Sequence, residues 1–152
     1  MAEEQPKTRF GVQRLFTKNT SFESPSAPDI FRKPWKPEIK VDLNTKSSKL
    51  SDEAYEVVIR VTVTAKLEDQ TAFLAEVEQG CIVTVSGMTD EQVEQMLGAY
   101  VPSVLFPYAR ETIDNMVVKG SFPPVMLAPV NFDALHQQSK QNKAAATNAE
   151  AN

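Results

Sequence analysis

The sequence has one cysteine, Cys81, and one histidine, His136, in 152 residues. A lone cysteine cannot form an intrachain disulfide or a multi-cysteine metal site, so a reducing, cytoplasmic setting is expected. A lone histidine rules out Ser-His-Asp and Cys-His arrangements unless it is itself the base. His136 lies where the chain turns polar and is expected at the surface. The five glycines are scattered at 11, 80, 87, 98 and 120, so no phosphate-cradling loop is formed. No apolar run approaches the roughly 18 residues of a membrane span. The N-terminal stretch MAEEQPKTRF has no apolar core that would mark a signal peptide. Basic excess is missing too. The formal charge is −4, which argues against a phosphate-tracking nucleic-acid surface. No cofactor, metal or catalytic residue is expected. Carboxylates Glu76 and Glu78 share a strand face and could in principle exchange protons, but a solvated face accounts for them.

What the chain does have is strand periodicity followed by helix periodicity. Residues 10–17 alternate. So do Ile39, Val41 and Leu43 against Lys40, Asp42 and Asn44. From Tyr55 to Val63 every odd residue is apolar, and β-branched side chains dominate. Residues 71–85 form a fourth strand, with Gly80 expected at a bulge or bend. After Gly87 the period changes. Thr89 and Gln92 have capping-box spacing, and Val93, Met96, Leu97 and Tyr100 form a helical stripe. Pro102 and Pro107 are expected to kink that helix, and Gly120 to end it at C′. Asn131 can cap a second helix that begins at Phe132. Four strands and then two helices predict an α+β fold, a four-stranded antiparallel sheet with helices on one face. The expected divisions are a loose N-terminus (1–8), a folded domain (9–135) and a polar, disordered tail (136–152).

Between the helices lies GSFPPVMLAPVNF, thirteen residues without a charge and with three prolines. Pro123, Pro124 and Pro129 exclude a helix interior or a central strand. Trp35 sits in a second proline frame, between Pro34 and Pro37. The residues alone leave two readings of this apolar set open. Either the segments pack internally, or loop and sheet form a groove for extended apolar peptide. A purely structural oligomer would use the same segments as a subunit interface.

Several blocks, FESPSAP, YEVVIRVTVTA, TAFLAEVEQ, LFPYARE and APVNFDAL, resemble the SecB family of bacterial protein-export chaperones across residues 10–135. The resemblance implies a cytosolic holdase without nucleotide or metal. It would bind unfolded secretory precursors and pass them to the SecA motor, with no nucleic acid and no membrane insertion of its own. It implies a homotetramer, a dimer of dimers, with a long helix, a crossover loop and a second helix. It further implies a client groove at Phe22, Trp35, Ile39, Val41, Leu43, Phe122 and Leu127. The SecA contact would fall on Asn19, Glu23, Leu74 and Glu76, with Asn19 where an aspartate is usual. His136 and Lys140 stand where the family has apolar residues, so a short second helix is expected. Within the same fold, the alternative is a chaperone dedicated to a single client such as an antitoxin.

Overall fold

In the computed structural model, which describes residues 7–150, four antiparallel strands form one sheet. They are β1 (Arg9–Glu23), β2 (Glu38–Lys49), β3 (Ala54–Leu67) and β4 (Gln70–Ser86), in spatial order β1-β4-β3-β2. The helices are α1 (Asp90–Gln95), α2 (Val101–Lys119) and α3 (Phe132–Glu150), with a π-helical turn, Met96–Tyr100, joining α1 to α2. The α+β architecture expected from the periodicities is the one observed. Of the expected loose N-terminus, residues 1–6 lie outside the described residues.

The period of two in β3 sorts its side chains. Val57, Ile59, Val61 and Val63 are fully buried toward the helices, beside Phe73, Ala75 and Val77 of β4. Opposite them α2 offers Val101, Leu105, Ala109, Ile113 and Val117, spaced by four and all buried. Each such valine, leucine, isoleucine or phenylalanine contributes about 1.5–3 kcal/mol by leaving water. Sheet and α2 together therefore form a stable two-layer core.

β1 does not alternate as its sequence suggests. Its register against β4 slips between Val12 and Arg14 and again between Thr17 and Asn19. Each extra residue reverses which side chains face the helices. Phe10 opposes Val85 and Phe22 opposes Ala75, both on the helix side, while Phe16 opposes Gly80 on the other face. The bulges thus belong to β1, and Gly80 is not a bulge. It is a point of close approach, where an added Cβ would stand 2.7 Å from the Phe16 ring.

The turn between α1 and α2 widens where Pro102 removes a donor. Val101 N–H reaches back five residues to the Met96 carbonyl. The wider turn spares Pro102 a clash with the preceding turn. Pro107 stays inside α2.

The polar C-terminal segment is helical rather than disordered. α3 continues past His136 to Glu150, so the second helix is not short. Residues 136–150 contain neither glycine nor proline and include Ala144–Ala146, a composition that sustains a helix. What the segment lacks is a buried side: every residue from 141 to 149 is exposed. The helix docks only through its first turns. Phe132 meets the Phe106 ring edge-on at 5.8 Å, His136 lies against Gly98, and Lys140 Nζ stands 4.0 Å from Glu94. His136 is accordingly half-buried, not a surface residue, and among the described residues its Nε2 meets no hydrogen-bond partner.

Candidate functional site

The segment joining β1 to β2 crosses the helix side of the sheet and brings its aromatic residues over Phe73. Trp35 stacks on Phe73 at 6.3 Å and lies 5.3 Å from Phe122. Phe22 stacks on Phe73 at 6.0 Å, Phe31 lies 5.1 Å from Phe122, and Phe122 lies 5.1 Å from Phe73. Four rings, Phe22, Phe31, Trp35 and Phe73, thus frame one apolar pit at the end of the sheet, and Phe122 fills it.

The loop after α2 supplies Phe122 through a specific helix ending. Ser121 N–H bonds the Val118 carbonyl and Phe122 N–H bonds that of Val117, the paired bonds of a Schellman motif. Gly120 is not the left-handed residue of this cap. Ser121 takes that place, with φ +69°. Glycine is needed at 120 for another reason: an added Cβ there would run into the Phe22 ring. The ending points Phe122 into the pit, where it is 6% exposed, and Leu127 follows at 8%.

Beside the pit runs the helix-side face of β2. Ile39, Val41 and Leu43 oppose Ala65, Val63 and Val61. No helix covers the first two, which remain 41% and 46% exposed. Leu43 continues into a cleft of about 580 Å³ whose apolar wall includes Phe132 and Leu135. β2 is an edge strand, so its outer backbone groups are open to pairing.

The seven groove residues expected from the resemblance therefore fall in three settings. Phe22, Trp35 and Phe122 meet in the pit. Ile39, Val41 and Leu43 form an open shelf. Leu127 is a buried anchor of the loop. Sequence reasoning passed over Phe31, 47% exposed at the rim, and Leu135, 43% exposed on α3. Phe31 lies in Asp29–Arg32, a 3-10 turn of four residues whose period is too brief to read; Ile30 beside it is the buried residue.

The helix-free face is ordered differently. Cross-strand neighbours form three rows: Asn19, Glu78, Arg60 and Asn44; Ser21, Glu76, Thr62 and Asp42; Glu23, Leu74, Thr64 and Lys40. Asn19, Glu23, Leu74 and Glu76 are thus brought together on two adjacent strands. Thr62 Oγ1 donates to Glu76 Oε2 at 2.9 Å, which fixes that carboxylate, and Lys18 pairs with Glu56 at 3.1 Å. A shallow hollow of about 400 Å³ lies against Asp42, Asn44, Arg60, Thr62 and Glu76, and within the three rows Leu74 is the one apolar residue.

Chemistry-bearing groups are sparse. No group of three metal-ligating side chains occurs among the described residues, and none of the described helices is long and apolar enough to cross a membrane. Burial of Cys81 in the core raises its thiol pKa from 9.0 to about 11, so the group is held protonated and unreactive.

Comparison with known proteins agrees with this picture. The family model described as preprotein translocase subunit SecB matches residues 3–143. A protein-export protein SecB of Marinobacter nauticus is 51% identical over 141 residues, covering 93% of this chain and 86% of the relative. Among solved structures, a SecB-like chaperone of Mycobacterium tuberculosis, in complex with a peptide from an antitoxin, superposes with a TM-score of 0.66. The match is 18% identical and covers 80% of this chain and 91% of that one, so it speaks for a shared fold.

Proposed function

We infer a holdase: the chain belongs to the SecB family of protein-export chaperones, and the proposal concerns how it performs that task. Chaperones of this family are not enzymes. We propose that this one binds unfolded secretory precursors in the cytoplasm, along the pit and the β2 shelf, and delivers them to SecA through the helix-free face. The observation that carries the reading is the open strip Phe31, Ile39 and Val41, apolar side chains 41–47% exposed beside an unpaired strand edge. An extended polypeptide can pair its backbone with that edge and set alternate side chains on the shelf, with little demand on sequence. Folded proteins hide such segments, so the site selects for the unfolded state.

Assembly as a homotetramer would place four such strips on one particle. Several weak segments of one client would then bind cooperatively through effective concentration. Tyr100, Tyr108 and Val118 are 45–53% exposed along the helical layer, and Val12 and Leu15 remain 37–39% exposed on edge strand β1. These are the surfaces that subunit contacts would cover. For SecA, the fixed Glu76 carboxylate beside Leu74 and Glu23 offers a small acidic patch with one apolar contact. Asn19 contributes a hydrogen-bonding group there rather than a charge.

Native mass spectrometry tests the reading directly. The chain is measured alone and after dilution of an unfolded precursor into it. A tetramer that gains one client chain supports the holdase. A stable oligomer that takes up none of several unrelated precursors overturns it, and leaves a dedicated single-client chaperone, such as one for an antitoxin, as the alternative.

A further inference from the structure

The loop between α2 and α3 resembles the kind of chain this groove would bind. Residues 121–130 carry no charge, are held extended by three prolines, and direct Phe122 and Leu127 into the sheet with Val125 and Val130 half-buried beside them. They cover Phe73, which is 0% exposed, and shield Trp35. The proline-rich loop donates few backbone hydrogen bonds, yet one side chain fastens its middle. Asp114 of α2 accepts Val125 N–H at 2.9 Å and Met126 N–H at 3.2 Å on the same Oδ1. Met126 at that point has φ +55°, a backbone state that non-glycine residues adopt only under constraint, while its side chain is 75% exposed.

We propose that this loop is an intramolecular occupant of the aromatic pit and that Asp114 is the latch that keeps it there. The inference rests on the client-groove reading and deepens it. In the latched state a client reaches only Phe31, Ile39, Val41 and the cleft at Leu43. With the loop lifted it also gains Trp35, Phe73 and the ring of Phe22. Client affinity is then scaled by the fraction of molecules whose loop is open, and the two bonds to Asp114 set that fraction. Asp114 is a positioning residue: it need not touch client.

The test uses the full chain with Asp114→Ala and Asp114→Asn. Three quantities are measured: amide hydrogen exchange at Val125 and Met126, acrylamide quenching of Trp35, and affinity for a permanently unfolded probe, reduced carboxymethylated lactalbumin. Asp114→Ala is expected to speed exchange at both amides about tenfold or more, the factor one charge-assisted bond of ordinary strength supplies. It should increase Trp35 quenching and tighten probe binding several-fold, with the thermal midpoint lowered by no more than the few degrees that such a tenfold factor is worth. Asp114→Asn keeps an acceptor oxygen and should fall between. Unchanged exchange overturns the latch. Faster exchange with equal or weaker probe binding overturns the occupant role. Probe binding absent from wild type and variants alike overturns the holdase reading instead, while the exchange result still judges the latch.

Discussion

Phe122 and Met126 lie four residues apart in one uncharged loop, and the structure assigns them opposite weights. Phe122 is 6% exposed among four rings; Met126 is 75% exposed. Truncating a buried phenylalanine to alanine removes its transfer free energy and leaves a cavity, together costing about 3–5 kcal/mol. The loop can settle partly into the space, so the low end, about 3 kcal/mol, is expected for Phe122→Ala. For a domain of this size that corresponds to a fall in Tm of about 6–12 °C. Met126→Ala should stay within about 0.5 kcal/mol of wild type. Urea unfolding followed through Trp35, at fixed protein concentration, measures both. Equal effects of the two substitutions, or a loss below about 1 kcal/mol for Phe122→Ala, would refute the view that the loop is part of the packed core.

The helix ending separates two roles of adjacent residues. Ser121→Gly should stabilise by about 0.5–1 kcal/mol, since glycine takes positive φ without strain, whereas Gly120→Ala should destabilise by about 1–3 kcal/mol through overpacking against Phe22; thermal melts of both variants check the pair. Glu76→Lys should weaken association with SecA, measured by surface-immobilised binding, and leave uptake of unfolded precursor intact; loss of both would indicate misfolding. Cys81 has a folded-state pKa raised by burial, so its contribution to stability is fully present below pH 9 and is lost as pH rises toward about 11. Denaturation midpoints across that window should decline less in Cys81→Ala than in wild type.

The central strands were legible because one face is buried, and burial imposes the period of two on Val57, Ile59, Val61 and Val63. β1 was not, because the bulges at Gln13 and Lys18 are properties of pairing with β4 and leave no mark in a single strand's composition. The α1 start was legible from its cap: Thr89 and Gln92 exchange the two bonds expected. The α2 end was only half legible. Gly120 marks the right place, but packing against Phe22 claims the glycine, and Ser121 absorbs the strained backbone. For α3 the missing apolar stripe suggests a short helix that gives way to a disordered tail. Propensity sustains the helix to Glu150, and the lack of a stripe instead shows where docking ends, at Lys140. Among candidate site residues, those in long periodic segments could be assigned to a face from the sequence. The Asp114 bonds to Val125 and Met126 could not, because nothing local in the helix sequence TIDNMVV reports a bond to a loop eleven residues on.

The two faces of the sheet have different chemistry because they answer different demands. On the helix side, β-branched and aromatic residues must exclude water, and where helices stop short the same composition leaves an apolar shelf at β2. On the other side no layer of the described residues covers the strands, so alternate positions carry Asn19, Glu23, Thr62 and Glu76, and the one apolar residue in the rows, half-buried Leu74, would be enough to anchor a partner without inviting aggregation. A holdase of the proposed kind has to remain loaded while its motor engages it. With cargo on one face and motor on the other, neither partner needs to displace the other at first contact. Release then depends on a change in the groove itself, and the loop that already competes for the pit is the element placed to make that change.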